Sequence, residues 1–267
     1  MLSRIATAGT GLLIAIGAFG QSLTDAQKAI VDATRAKYYS LESLGFQSAA
    51  CTVNFDFKTL PSLPSEDPAA DRRLIEKTIF SLYINGAERT PLKVRIRYPK
   101  DASEKDLDRA AGLVSALRFL VQGAFQTWGT KSLHGPLPVS DAQLESVTPS
   151  EIGFTIVAGD PDNPLHIELN KSYLVTKIVS DDGKIDERPI YTPTVDGLLY
   201  TGAVVTDNSN PNSTVAARYE LGSQIVDGFR LPSAVRLQIN RNINVRFSLN
   251  DCVIRKDVLP RYTPPQE

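Results

Sequence analysis

The fold is decided by the stretch LPSAVRLQINRNINVRFSLN, residues 231–250. Apolar and polar residues alternate over 235–239, and the same alternation returns over 245–249 after a turn at Arg241-Asn242. A period of two is that of a strand with one buried face. The stretch therefore predicts an antiparallel hairpin with one apolar side.

The chain that leads into this hairpin, from Glu145 onward, is a succession of short β-type segments. Asp-Gly pairs at 182–183, 196–197 and 227–228 separate several of them, and such pairs suit tight turns. No helix-length segment interrupts the series to build parallel crossovers. We predict an antiparallel meander with strands at 152–158, 165–169, 173–179, 198–206, 214–221, 231–239 and 243–249.

Further strands are predicted nearer the amino terminus. Residues 51–58 alternate strictly, and residues 78–84 and 92–98 flank Asn85-Gly86 as the arms of a hairpin. The apolar side of the first of these segments consists of Cys51, Val53, Phe55 and Phe57.

Three helices are predicted, at about 24–39, 68–77 and 103–128. The first opens with a capping box at Thr24 and Gln27, and the last is long, with Gly129 placed to stop it. Its apolar stripe at three-and-four spacing indicates a core-facing helix. The stripe consists of Leu107, Ala110, Ala111, Val114, Leu117, Val121, Ala124, Phe125 and Trp128.

The first twenty residues have the layout of a secretory signal peptide, with Arg4 ahead of an uncharged run from Ile5 to Phe19. Ala18 and Gly20 are small, so cleavage is expected before Gln21; a retained membrane anchor is the alternative. We therefore expect export by the general secretory route to the periplasm or the exterior, and no stable membrane insertion after cleavage.

Residues 21–258 are expected to form one β-rich domain, followed by a disordered, proline-rich tail at 259–267. The whole chain has a formal net charge of −1, and removal of Arg4 with the first twenty residues would make it −2. Such a balance supplies no general electrostatic basis for binding nucleic acid.

Cys51 and Cys252 are the chain's two cysteines. In an oxidising compartment they are expected to form a disulfide that ties the first strand to the last. Two unrelated buried thiols are the alternative. The two cysteines and two histidines lack the short ligand spacings of a zinc site, so no metal is predicted.

Motifs for catalysis are not recognisable in this sequence. His134 lies in a Gly/Pro-rich loop and His166 on a predicted strand, and neither accompanies a nucleophile motif. Acidic pairs such as Asp181-Asp182 occur where turns favour them. We therefore predict a protein that is not an enzyme and has no cofactor.

The order of elements resembles that of the periplasmic lipoprotein carriers, the LolA-like half-barrels, over roughly residues 23–256. The likeness rests on a turn with Gly228, Phe229, Leu231 and Pro232 ahead of the alternating terminal hairpin. It implies a strongly curved antiparallel sheet that wraps around helices and leaves an apolar groove for acyl chains.

The expected fold is therefore α+β, a strongly curved half-barrel-like antiparallel meander packed on a long amphipathic helix, with a short amino-terminal helix. Two functions fit it: binding of a lipid or other apolar ligand in the concave face, or an envelope scaffold whose concave face is filled by its own helix. Free space would discriminate between them. The ligand-lining residues predicted for the first function are Phe55, Phe57, Phe125, Trp128, Val235 and Leu237.

Overall fold

The computed structural model describes residues 23–60, 67–86, 92–160, 162–180, 183–209, 215–240 and 243–255. The predicted signal peptide and proline-rich tail lie outside this part of the chain. The α-helices within it are α1 Asp25–Arg35, α2 Pro68–Lys77 and α3 Glu104–Ser132. Its strands are β1 Ser48–Phe55, β2 Ile79–Asn85, β3 Leu92–Arg97, β4 Leu144–Pro149, β5 Gly153–Asp160, β6 Asn163–Asn170, β7 Val175–Ser180, β8 Ile185–Thr194, β9 Gly197–Asp207, β10 Val215–Val226, β11 Phe229–Ile239 and β12 Ile243–Arg255.

All twelve described strands belong to one sheet in the order β3-β2-β1-β12-β11-β10-β9-β8-β7-β6-β5-β4. Every neighbouring pair is antiparallel. From β4 the chain runs as a meander to β12, which returns beside β1. The predicted α+β class and antiparallel meander are confirmed.

Helix α3 connects the two edges of this sheet, because it follows β3 and precedes β4. Its 29 residues span about 44 Å at 1.5 Å per residue. Twelve strands at about 4.8 Å spacing extend about 53 Å along the sheet. The sheet is curved and unclosed, and α3 packs against β3 and β9, while residues 133–143 carry the chain on to β4.

The boundaries of α3 differ from the prediction of 103–128. Ser103 is the N-cap, as its side chain accepts a hydrogen bond from Asp106 N, but the helix continues past Gly129 to Ser132. Gly129 serves close packing, because a Cβ there would lie 2.9 Å from Leu92 Cδ1 of β3. The prediction that Gly129 stops the helix was wrong.

Helix α1 is shorter than the predicted 24–39, although its capping box is present. It ends at Arg35 because the next residues pair with β9: Leu198 N donates to Lys37 O, and Tyr39 N donates to Leu198 O. This competing pairing draws the chain out of the helical conformation. Helix α2 has the predicted bounds, with Pro68 in its first turn.

Two strands, β4 and β8, were missed by the sequence analysis. Strand β8 contains Pro189 and Pro193, which weaken any strand prediction, yet it pairs with β9 along its whole length. Strand β1 begins at Ser48 rather than at residue 51, and Phe57 lies beyond its end.

The core has two parts. The larger lies between α3 and the β1–β3 and β9–β12 region, and the smaller lies beneath α1 against β4–β7. Cys51 and Cys252 form the predicted disulfide between the adjacent strands β1 and β12. Among the described helices, none is long and apolar enough to span a membrane.

Candidate binding site between two splayed hairpins

The residues predicted to line a ligand groove lie in or beside the larger core. Phe125, Trp128 and Val235 are at most 2% exposed, whereas Phe55 and Phe57 are half-buried against the same core. Leu237 is also half-buried, and its register partners Tyr219 and Val245 are buried.

Aromatic contacts connect α3 directly to the sheet. The ring centroid of Phe125 is 5.7 Å from that of Phe247, which is 5.9 Å from Phe55. Phe55 in turn contacts Phe57, with 6.5 Å between centroids. These edge-on and tilted contacts are those of a packed aromatic core. The helix thus occupies the concave space beside these residues.

A different opening exists where β9 and β10 part. The two strands pair from Asp207 with Val215 as far as Gly202 with Glu220. Beyond that point β9 pairs with β8, and β10 pairs with β11. The sheet therefore splits into two hairpins, β8–β9 and β10–β11.

Backbone irregularities explain the position of the split. Gly202 has a φ of +150°, and a Cβ there would lie 2.1 Å from Tyr219 O. The register shifts between Ile190 and Tyr191 on one hairpin and between Gly222 and Ser223 on the other. Bulges and glycines bend strands locally, so these irregularities explain why the two hairpins part beyond Gly202 and Glu220.

The segment after α1 holds the inner side of the split together. It pairs with β9 through the Leu198 bonds described above, while Tyr39 Oη accepts a hydrogen bond of 2.7 Å from Arg230 N on β11. Tyr39 is 1% exposed, and burial, ahead of its contacts with charged neighbours, raises its pKa. One buried tyrosine therefore joins both hairpins.

An open groove of about 610 Å³ lies between the hairpins. Its lining combines aliphatic side chains, hydroxyl groups and two arginines. The lining residues are Ile190, Thr192, Pro193, Thr194, Val195, Leu199, Thr201, Arg218, Glu220, Leu221, Ser223 and Arg230.

The two arginines differ in their partners. Arg218 Nε donates to Glu220 at 2.6 Å. Arg230 Nε lies 3.7 Å from Asp196 Oδ2, and it is buried without a hydrogen-bond partner among the described residues. The Arg230 side chain as a whole is 23% exposed, so an incoming anionic group could pair with its guanidinium beside Asp196.

A layer of three tyrosines lies on the α3 side of the same strands, with Tyr200 and Tyr219 buried and Tyr191 half-buried. Burial raises the pKa of Tyr191, Tyr200 and Tyr219 well above 10, and the Glu187 carboxylate adds to the effect for the first two. Tyr219 Oη donates to Ala124 O of α3. Glu187 also lies 3.7 Å from Lys131 Nζ. This layer fixes α3 to the strands that form the groove.

Neither of the two histidines is among the residues that line this groove. His134 Nδ1 lies 2.7 Å from Glu42 Oε2, and His166 is an exposed residue of β6. Within the described ranges, no cluster of three or more His, Cys, Asp or Glu could hold a metal ion.

Comparisons with protein-family models, curated proteins and solved structures found no match. The groove residues were missed by sequence reasoning because they come from four strands. The proline pair of β8 and Gly202 were the local signals of an irregular sheet at this place.

Proposed function

We propose that this chain is a non-enzymatic exported protein that binds an anionic amphiphile, such as a fatty acid, in the groove between the β8–β9 and β10–β11 hairpins. The observation that carries the proposal is Arg230, whose buried Nε lies 3.7 Å from Asp196 and has no hydrogen-bond partner among the described residues, beside an open groove of about 610 Å³. Export is the expectation drawn from the amino-terminal sequence.

The size and lining of the groove suit such a ligand. Small-molecule sites typically measure about 300–1,000 Å³ and combine apolar walls with a few polar groups. Ile190, Leu199 and Leu221 supply aliphatic contacts for a hydrocarbon chain. Arg230 supplies a donor for an acidic head group, while the hydroxyl groups of Thr192 and Thr201 are hydrogen-bonded to each other and add polarity to the wall.

The ligand class is the one predicted from the sequence, but its proposed site differs from the predicted one. The concave face, where the ligand was first expected, is occupied by the stripe of α3 at Val114, Leu117, Val121 and Phe125, each at most 3% exposed. An acyl chain would have to displace that helix to bind there, at the cost of a close-packed core.

The first experiment blocks the groove and measures uptake of a fluorescent fatty acid. Ser223 is exposed and lines the groove, so Ser223→Trp fills it without removing a core side chain. Thr176→Trp, at an exposed position of β7, is the matched control. We expect Ser223→Trp to abolish saturable uptake and Thr176→Trp to leave it unchanged. Equal binding by all three proteins would refute the site.

A second experiment tests the head group. We expect Arg230→Gln to weaken binding of the fatty acid about tenfold or more, the range for a hydrogen bond to a charged group. Binding of the corresponding fatty alcohol should change little. The substitution keeps the backbone bond from residue 230 to Tyr39. Equal losses for acid and alcohol would show that Arg230 acts through the fold alone.

An envelope scaffold without a ligand is the second candidate function. The observation that favours it is the same filling of the concave side by α3. Native mass spectrometry of protein purified from its own host separates the two, because a scaffold would carry no lipid. A bare protein that also takes up no fluorescent fatty acid would favour the scaffold.

A further inference from the structure

Charge is unevenly distributed over the outer face of the sheet, the face opposite α3. On strands β3 and β10–β12 the outward positions alternate with buried core residues. These outward positions carry six basic residues, Lys93, Arg95, Arg97, Arg218, Arg236 and Arg246. We call this set the basic face.

Acidic residues are few on the same strands. Glu220 lies among the arginines, and Asp251 is exposed at the irregularity in β12. Six positive and two negative charges make a net of +4, although the whole chain has a net charge of −1. The rest of the chain therefore has a formal net charge of −5.

Like charges are placed directly opposite each other on this face. Arg236 and Arg246 are register partners on β11 and β12. Directly opposed like charges destabilise a sheet. Arg236 has Glu220 at 3.8 Å on its other side, whereas Arg246 has no ion-pair partner among the described residues. An external anion bound next to Arg236 and Arg246 would compensate the repulsion between them.

The outward positions of the described strands β1 and β2, which separate the basic residues of β3 from Arg246, are uncharged. Strands β2, β1 and β12 lie between β3 and β11, and they present Ser81, Thr52 and Asn250 in one register row. Six adjacent strands span about 24 Å. Charges spread over such a width suit a two-dimensional array of head groups better than a single polyanionic chain.

We propose that the basic face docks this protein onto the surface of a bilayer containing anionic lipids. This inference goes beyond the proposed ligand, and the two share one location: Arg218 belongs to the basic face and also lines the groove. Docking in this orientation brings the groove to the lipid surface. The contact is electrostatic and peripheral, without insertion of any segment.

Vesicle co-sedimentation of the full-length mature protein tests the inference. We expect binding to vesicles of mixed phosphatidylcholine and phosphatidylglycerol, none to pure phosphatidylcholine, and loss of binding as salt shortens the screening length. The variant Lys93→Gln, Arg97→Gln, Arg246→Gln removes three charges outside the groove. Each charge near an anionic surface is worth about fivefold, so partitioning should fall roughly a hundredfold.

The matched control is Lys28→Gln, Arg118→Gln, Lys171→Gln, which removes the same charge from exposed positions on α1, on α3 and after β6. It should bind at least about tenfold better than the basic-face variant. Equal losses in both variants, or binding to heparin without binding to anionic vesicles, would overturn the inference. Groove variants such as Ser223→Trp should dock normally, so the two proposals fail separately.

Discussion

Replacement of Phe125 by alanine examines the packing of α3 in the concave face most directly. Phe125 is fully buried and contacts both Phe247 and Trp128, with ring centroids at 5.7 and 6.4 Å. Truncating such a phenylalanine costs about 3–5 kcal/mol, from lost transfer energy and the cavity left behind. For a domain of this size, that loss lowers Tm by roughly 6–20 °C.

The assay pairs thermal and urea unfolding with uptake of the fluorescent fatty acid. We expect Phe125→Ala to unfold at markedly lower urea, while affinity for the fatty acid, measured where the variant is still folded, stays unchanged. Phe119→Ala is the control on the same helix, because Phe119 is 47% exposed and its loss should cost less than about 1 kcal/mol.

One result would refute this reasoning. If Phe125→Ala lost less than about 1 kcal/mol of stability and bound fatty acid much more weakly than the wild type, the concave face would contain the ligand. The original prediction for Phe125 and Trp128 would then be right, and the groove between the hairpins would be a surface feature.

Three further predictions concern the fold. Removing the disulfide by the Cys51→Ala, Cys252→Ala double change should lower the unfolding free energy by up to about 5 kcal/mol in urea titrations. Gly202→Ala should cost at least about 2 kcal/mol in the same assay, because its Cβ would meet the Tyr219 carbonyl. Stability should fall above pH 10 by about 1.4 kcal/mol per pH unit for each fully buried tyrosine, as followed by urea unfolding and phenolate absorbance.

The sign of the pH effect follows from the raised pKa values. Above pH 10 an unfolded tyrosine ionises while the buried one stays protonated, so the unfolded state gains stability until the folded-state pKa is passed. Tyr38, in the segment after α1, is 5% exposed, and burial raises its pKa to about 12. Phenolate absorbance that rises fully at pH 10 without unfolding would contradict the burial.

Gly112→Ala on α3, at an open helical position, should be neutral or stabilising, and equal losses there and at Gly202 would remove the steric explanation. Two alkylatable thiols in the unreduced, denatured protein would end the disulfide prediction.

Local patterns in the sequence determined most secondary structure and much of the topology. The alternation around Val235 and Val245 made β11 and β12 recognisable, and the Ser103 cap and apolar stripe located α3. These signals are short-range, because strand alternation and helix periodicity appear in the chain itself. The disulfide partner could be predicted since Cys51 had one other cysteine to pair with.

Only the tertiary structure decided where free space lies. An apolar helix stripe opposite an apolar sheet face is expected both for a packed core and for an apolar ligand groove, since both need the same residue types. The packing of Phe125 against Phe247 depends on distances between segments far apart in the chain. The groove likewise depends on Gly202 parting β9 from β10, and the basic face depends on strand order. The sequence by itself therefore determined an antiparallel sheet with a long covering helix, whereas three-dimensional packing decided which side of that sheet is filled and which remains open.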